Sequence, residues 1–169
     1  MTDWTVRGLE IKTQAGRTFV YSPAERMRRD RTVWTLVQGI LAPVQFLVFL
    51  VSLGLVLRYL LTGQGLELAG LSVLVKTAVL LLIMVTGAIW EKVVFGQYLF
   101  ARPFFWEDMV SMLVIALHLA VAMAWFDWGL HLTPHSAMSL ALVAYATYLI
   151  NAAQFLRKLR LARLEVRSA

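Results

Sequence analysis

The sequence predicts an all-α integral membrane protein, a four-helix bundle with both ends of the chain on the cytoplasmic side. Three observations predict it. Of 169 residues, 60% are hydrophobic and 15% charged, and the mean hydropathy is +0.71; soluble domains run near half apolar and about a quarter charged. Four apolar stretches are each long enough to cross a bilayer, which takes about 20 residues. Finally, the two short connections, 62–67 and 127–136, contain no Lys or Arg, while the termini and the central connection hold 14 of the 16. Basic residues collect on the cytoplasmic side, so an even number of spans with both ends inside is the arrangement that fits.

The elements follow in order. Residues 1–22 are of mixed polarity and read as an arm, either a small hairpin around Gln14, Ala15 and Gly16 or an unstructured lead-in. Ser22-Pro23-Ala24-Glu25 is a helix start, with Ser at the N-cap, Pro at the first helical position and Glu three residues on. A basic amphipathic segment, ERMRRDR, follows and suits the headgroup layer. The first span is 33–61, where Pro43 removes a backbone hydrogen bond and predicts a kink near Gly39. Trp34, Gln38, Gln45 and Ser52 share one stripe of it, predicted to face protein rather than lipid.

The second span, 68–89, is interrupted only by Lys76, and the third, 109–126, carries His118 near its middle. The fourth span is 137–156, and a basic helical extension continues beyond it. One membrane domain, 23–164, is therefore expected between the arm and a short tail, 165–169. The first apolar run begins too late and is too long for a signal peptide.

Composition also removes whole classes of function. With no cysteine, disulfides, thiolate-held zinc, iron–sulfur clusters and Cys nucleophiles are excluded. No HExxH, P-loop or GxGxxG pattern is present, so neither a bound metal nor a cofactor is predicted. The net charge of +6 would suit nucleic acid, but its placement beside apolar spans points to a lipid bilayer instead.

The chemistry-bearing residues concentrate in the central connection, WEKVVFGQYLFARPFFWED, 90–108. It holds Glu91, Glu107 and Asp108 among Trp90, Tyr98, Phe104, Phe105 and Trp106, together with Lys92 and Arg102. His118 lies eleven residues after Glu107, three turns on nearly one face, with Ser111 on the same line. In the fourth span Thr147, Asn151, Gln154 and Lys158 share a face, with Tyr148 beside it. A bundle would bring Gln38, Glu91, Glu107, Asp108, Asn151 and Gln154 into one polar cavity at the cytoplasmic end.

Each residue also has a plain structural reading. The carboxylates suit ion pairs with Lys92 and Arg102, or the positive end of a helix dipole. The tryptophans suit an interfacial belt, and the amides suit hydrogen bonds between helices. His118 reads equally as a packed histidine or as a magnesium ligand or proton partner. Lys76 in mid-membrane needs an interior acid or a ligand as its partner, or sits neutral.

The strings VWTLVQGILAPVQFLVFLVSLGLVLRYL (33–60), MVTGAIWEKVVFGQYLFARPFFWEDM (84–109) and YATYLINAAQFLRKLR (145–160) resemble the 2-vinyl bacteriochlorophyllide hydratase family of phototrophic bacteria. That family is also called chlorophyllide a 3-vinyl hydratase. The resemblance covers roughly 23–164 and leaves out the arm. It implies a hydro-lyase that adds water to the C3 vinyl group of chlorophyllide a, or of its bacteriochlorin relative. The product is the 1-hydroxyethyl pigment on the route to bacteriochlorophyll a. It implies no cofactor, and a multi-pass place in the bacterial inner, photosynthetic membrane. That setting leaves room for contacts with other enzymes of pigment synthesis or with a second copy of the chain.

The chemistry so implied needs an acid that is protonated near neutral pH, a group that orients water, and a dry slot for the ring. Glu107 or Glu91 is then the expected acid, with Asp108, Tyr98 or Asn151 holding water. His118 is the candidate ligand for the substrate's magnesium, and Lys92, Arg102 or Lys158 for its propionate. Trp90, Phe104, Phe105 and Trp106 are expected to flank the ring, with Gln38 and Gln154 completing the lining. A pigment carrier that leaves the vinyl group intact, and a small transporter built on Lys76 and the intramembrane amides, are the readings of other classes.

Overall fold

The computed structural model describes residues 20–167, with side chains described for 20–164; the arm up to residue 19 lies outside the described residues. Five helices follow one another: α1 (Pro23–Arg31), α2 (Val33–Thr62), α3 (Leu66–Phe95), α4 (Phe105–Trp125) and α5 (Pro134–Arg167). The last four are long and apolar enough to cross a membrane.

The start of α1 forms as the sequence predicts. The Ser22 hydroxyl accepts from the Glu25 backbone N–H at 3.3 Å, and the Glu25 carboxylate accepts from the Ser22 N–H at 2.7 Å. These reciprocal bonds satisfy two of the donors that every helix start leaves open. Thr32 is extended, which ends α1, and its hydroxyl caps α2 by accepting from the Trp34 N–H. Helix α2 continues through Pro43 to Thr62. Gly63 then turns the chain in a left-handed conformation, φ 71°, which costs glycine nothing.

Helix α3 runs on to Phe95, and α4 begins at Phe105. The central connection is therefore shorter than 90–108: Trp90, Glu91 and Lys92 are helical, and Glu107 and Asp108 lie in the first turn of α4. Packing explains the extension. Val94 is buried beside Tyr21, Phe104 and Ala162, with Trp90, Phe95 and Phe155 around them, so the last turns of α3 have a core to bury against.

Helices α2 and α3 form one antiparallel hairpin, α4 and α5 another, and the two pack into a bundle. The main core lies between them, built on Phe49, Val73, Val114, Met138, Tyr145 and Tyr148. Near the opposite end, α3 and α4 meet at Gly70, where a Cβ would fall 2.0 Å from the Trp125 ring. Leu36, Leu47, Val51, Leu61, Val85 and Leu113 point outward and are exposed. Apolar faces of this extent suit hydrocarbon rather than water. Tyr21 stacks on Phe95, and Phe104 stacks on Phe155. Both the start of α1 and the later part of α5 therefore sit at the end of the bundle that carries the 96–104 connection.

Candidate active site

Three carboxyl groups are buried at that end: Glu91, Glu107 and Asp108 are 5%, 7% and 3% exposed. All three lie beyond the apolar stretches 68–89 and 109–126. The connection folds back between α3 and α4 and supplies them with backbone donors. The Phe100 N–H donates to Asp108 Oδ2 at 2.7 Å, and the Ala101 N–H donates to Glu91 Oε2 at 3.2 Å. Two consecutive N–H groups can diverge in this way because Phe100 is left-handed, φ 59°. That conformation costs a residue with a Cβ about 1–2 kcal/mol, and such strain persists only where the surroundings hold it.

Consecutive N–H groups thus hold the buried Glu91 and Asp108 carboxyls, one from each helix, close to each other. Two carboxyl groups held in this way are suited to sharing a proton.

Glu107 is held differently. Its Oε1 lies 3.1 Å from the Lys158 ammonium, which also donates to the Pro103 carbonyl and approaches the Phe104 ring. Asn151 Nδ2 donates to the Glu107 carbonyl at 2.9 Å, and the Ser111 hydroxyl lies between that carbonyl and Asn151 Oδ1. Helix α5 is thus fastened to the start of α4 by Asn151 and Lys158, one on each side of the Glu107 turn.

The aromatic residues divide. Trp90 and Phe104 meet edge to face at 5.6 Å inside the buried cluster, and the Trp90 indole N–H donates to Thr35. Phe105 and Trp106 point outward, with Trp106 71% exposed. Tyr98 is exposed beneath the Lys92 ammonium, and Lys92 also donates to the Gly96 carbonyl. Arg102 is exposed on the connection. Gln38 donates to Thr86 at 2.8 Å and ties α2 to α3, away from the carboxyls. Gln154 Oε1 is buried with no partner among the described residues.

His118 is fully buried one level deeper, against Tyr145 at 5.7 Å between ring centres. Its Nδ1 sits 2.8 Å from the Val114 carbonyl, so Nδ1 carries the proton and Nε2 presents its lone pair. An open groove of about 490 Å³ lies beside the site, lined by Met27, Arg28, Arg31 and Val93, with Arg28 fixed by its bond to the Val94 carbonyl.

The sequence pointed to the carboxylates and to Asn151, but not to the two connection N–H groups or to the pairing of Lys158 with Glu107. No residue type marks a backbone donor, and Phe is an uncommon residue at positive φ.

Comparison with known proteins adds to this geometry. The family model described as 2-vinyl bacteriochlorophyllide hydratase matches residues 21–161. A protein of Cereibacter sphaeroides named 2-vinyl bacteriochlorophyllide hydratase is 62% identical over 151 residues, covering 89% of this chain and 92% of that one. A protein of the same name from Rhodobacter capsulatus is 60% identical over 152 residues, covering 90% of this chain and 87% of its own length. No solved structure matches the chain.

Proposed function

Because the chain belongs to the 2-vinyl bacteriochlorophyllide hydratase family, we propose that it adds water across the C3 vinyl group of chlorophyllide a or its bacteriochlorin relative. The observation that carries a mechanism is the buried pair of carboxyls, Glu91 and Asp108, held by consecutive backbone N–H groups; in the proposed mechanism the pair shares one proton. The pair gives its proton to the terminal vinyl carbon, and the positive charge appears on the carbon next to the ring, where the macrocycle spreads it. Water attacks that carbon, and the proton it sheds returns to the carboxylate. The sum is one water added, a C–H and a C–O bond formed, and the acid regenerated. No electron is transferred to or from a cofactor.

The remaining residues support that chemistry. Phe100 and Ala101 N–H groups stabilise the pair when it is an anion. Glu107, already engaged in an ion pair with Lys158, positions the start of α4 in this reading, and the proton comes from the Glu91–Asp108 pair. Asn151 stands near enough to Glu107 to orient water. Trp90 and Phe104 offer apolar ring faces, and Phe105, Trp106 and Tyr98 meet the pigment as it arrives from the bilayer. His118 Nε2, with its lone pair free of any partner among the described residues, takes the substrate's magnesium. The basic residues gathered at the connection end support a cytoplasmic position for that end of the bundle in the proposed reading.

The test is to express the chain in a host without bacteriochlorophyll synthesis, supply chlorophyllide a to its membranes, and follow pigment mass. The expected outcome is a gain of one water with loss of the vinyl proton signals. Unchanged chlorophyllide that co-purifies with the protein would replace the hydratase by a carrier.

A further inference from the structure

Deeper in the bundle, two helices place polar side chains that the proposed chemistry does not use, and a third places His118, the proposed magnesium ligand. Lys76 of α3 is fully buried, and its Nζ has no hydrogen-bond partner among the described residues. Gln45 of α2, 2% exposed, has both amide atoms unpartnered in the same sense. His118 of α4 is the third, through its Nε2. Lys76 and His118 each meet one aromatic group, and Gln45 is buried one helical turn from Phe49 of that group. Lys76 Nζ stands 3.8 Å from the centre of the Tyr148 ring, and Phe49, one turn beyond Gln45, touches both Tyr148 and Tyr145. His118 packs on Tyr145 and lies within electrostatic reach of Lys76.

The neighbouring hydroxyls do not serve them. The Tyr145 hydroxyl bonds to Ser52, Ser52 to Ser72, and Thr77 to the Val73 carbonyl. A ring face offsets part of the cost of a buried ammonium but accepts none of its three N–H bonds well. An ionisable side chain in mid-membrane persists where something pairs with it, and an ammonium in a dry interior is paired best by a carboxylate. The groups left open here are complementary to one kind of ligand. It carries a Lewis-acidic centre for the His118 lone pair and an anionic oxygen acceptor for Lys76 and Gln45.

We propose that Lys76, assisted by the Gln45 amide, forms an interior subsite for the free carboxylate of the pigment substrate, between the two helical hairpins. The inference rests on the hydratase reading and adds to it a source of specificity, for the free acid over its ester. Of the cations at the connection end, Lys158 is engaged by Glu107 and Pro103, and Lys92 by Gly96.

The test compares 3-vinyl chlorophyllide with its methyl ester on the full chain in lipid nanodiscs, reading dissociation constants from pigment fluorescence and turnover from pigment mass. The wild type is expected to bind the free acid about 10- to 100-fold more tightly than the ester, the range of a charge-assisted hydrogen bond. Lys76→Met, which keeps the length and removes the charge, is expected to bind both pigments with the ester's affinity. Gln45→Leu is expected to narrow the preference by less. Equal binding of acid and ester by a wild type that hydrates both would overturn the subsite and leave the hydratase standing. Equal weakening of both pigments by Lys76→Met would assign Lys76 a purely structural role and overturn it too. A wild type that neither binds nor hydrates either pigment would overturn the hydratase reading and the subsite with it.

Discussion

At the scale of single residues, the connection end separates the proposed acids from the residues that position them. Glu91 and Asp108, the proposed proton-sharing pair, each accept from a backbone donor. Glu91→Gln and Asp108→Asn keep the shape and remove the acid, so each is expected to lower the hydration rate by about 10²- to 10⁴-fold. Single-turnover pigment conversion in membranes measures this, with pigment binding as the control for folding. Glu107→Gln has a different expected signature. It leaves Lys158 with the Pro103 carbonyl alone and an unpaired charge, so thermal stability falls more than the rate does. A Glu107→Gln protein of normal stability and a rate as low as that of Glu91→Gln would move the acid to Glu107.

At the scale of helices, the fold depends on two local devices and one close approach. The Ser22–Glu25 box starts α1, and Ser22→Ala is expected to destabilise that helix by about 1 kcal/mol. Faster hydrogen exchange across 23–31, with the bundle unaffected, is the readout. Gly70 admits the Trp125 ring, where a methyl group would collide with it. Gly70→Ala is therefore expected to cost about 1–3 kcal/mol, measured as a lower melting temperature in detergent, and Gly70→Ala with Trp125→Leu should recover part of it. The extension of α3 to Phe95 belongs to the same scale. Without the aromatic cluster around Val94 there is no reason for helix beyond the apolar span.

At the scale of the whole molecule, four spans in two hairpins bring the start of α1 and the later part of α5 to the end that holds the carboxyls. The absence of cysteine makes the sidedness easy to measure. Single cysteines at Gln64 and Trp128 are expected to react with an impermeant maleimide in intact cells. One at Gln97 is expected to react only after the membrane is opened. The reverse pattern would invert the bundle and place the candidate site on the outer face.

The sequence by itself determined the class, the number of spans, the capped start of α1 and the family, because hydropathy, charge placement and capping are properties of residues read one stretch at a time. It also brought Glu91, Glu107, Asp108, Asn151 and His118 into view, since ionisable and amide side chains beside lipid are few. Only the tertiary structure decided how those residues are paired. Lys158, expected to meet substrate, closes on Glu107; Gln38 bridges to Thr86 instead of joining the carboxyls; Trp106 faces outward while Phe104 faces in. Glu91 and Asp108 are paired because a left-handed Phe100 turns two backbone N–H groups onto carboxyls from two different helices. Such a contact depends on the path of the chain between distant positions, and backbone direction leaves no mark in residue type.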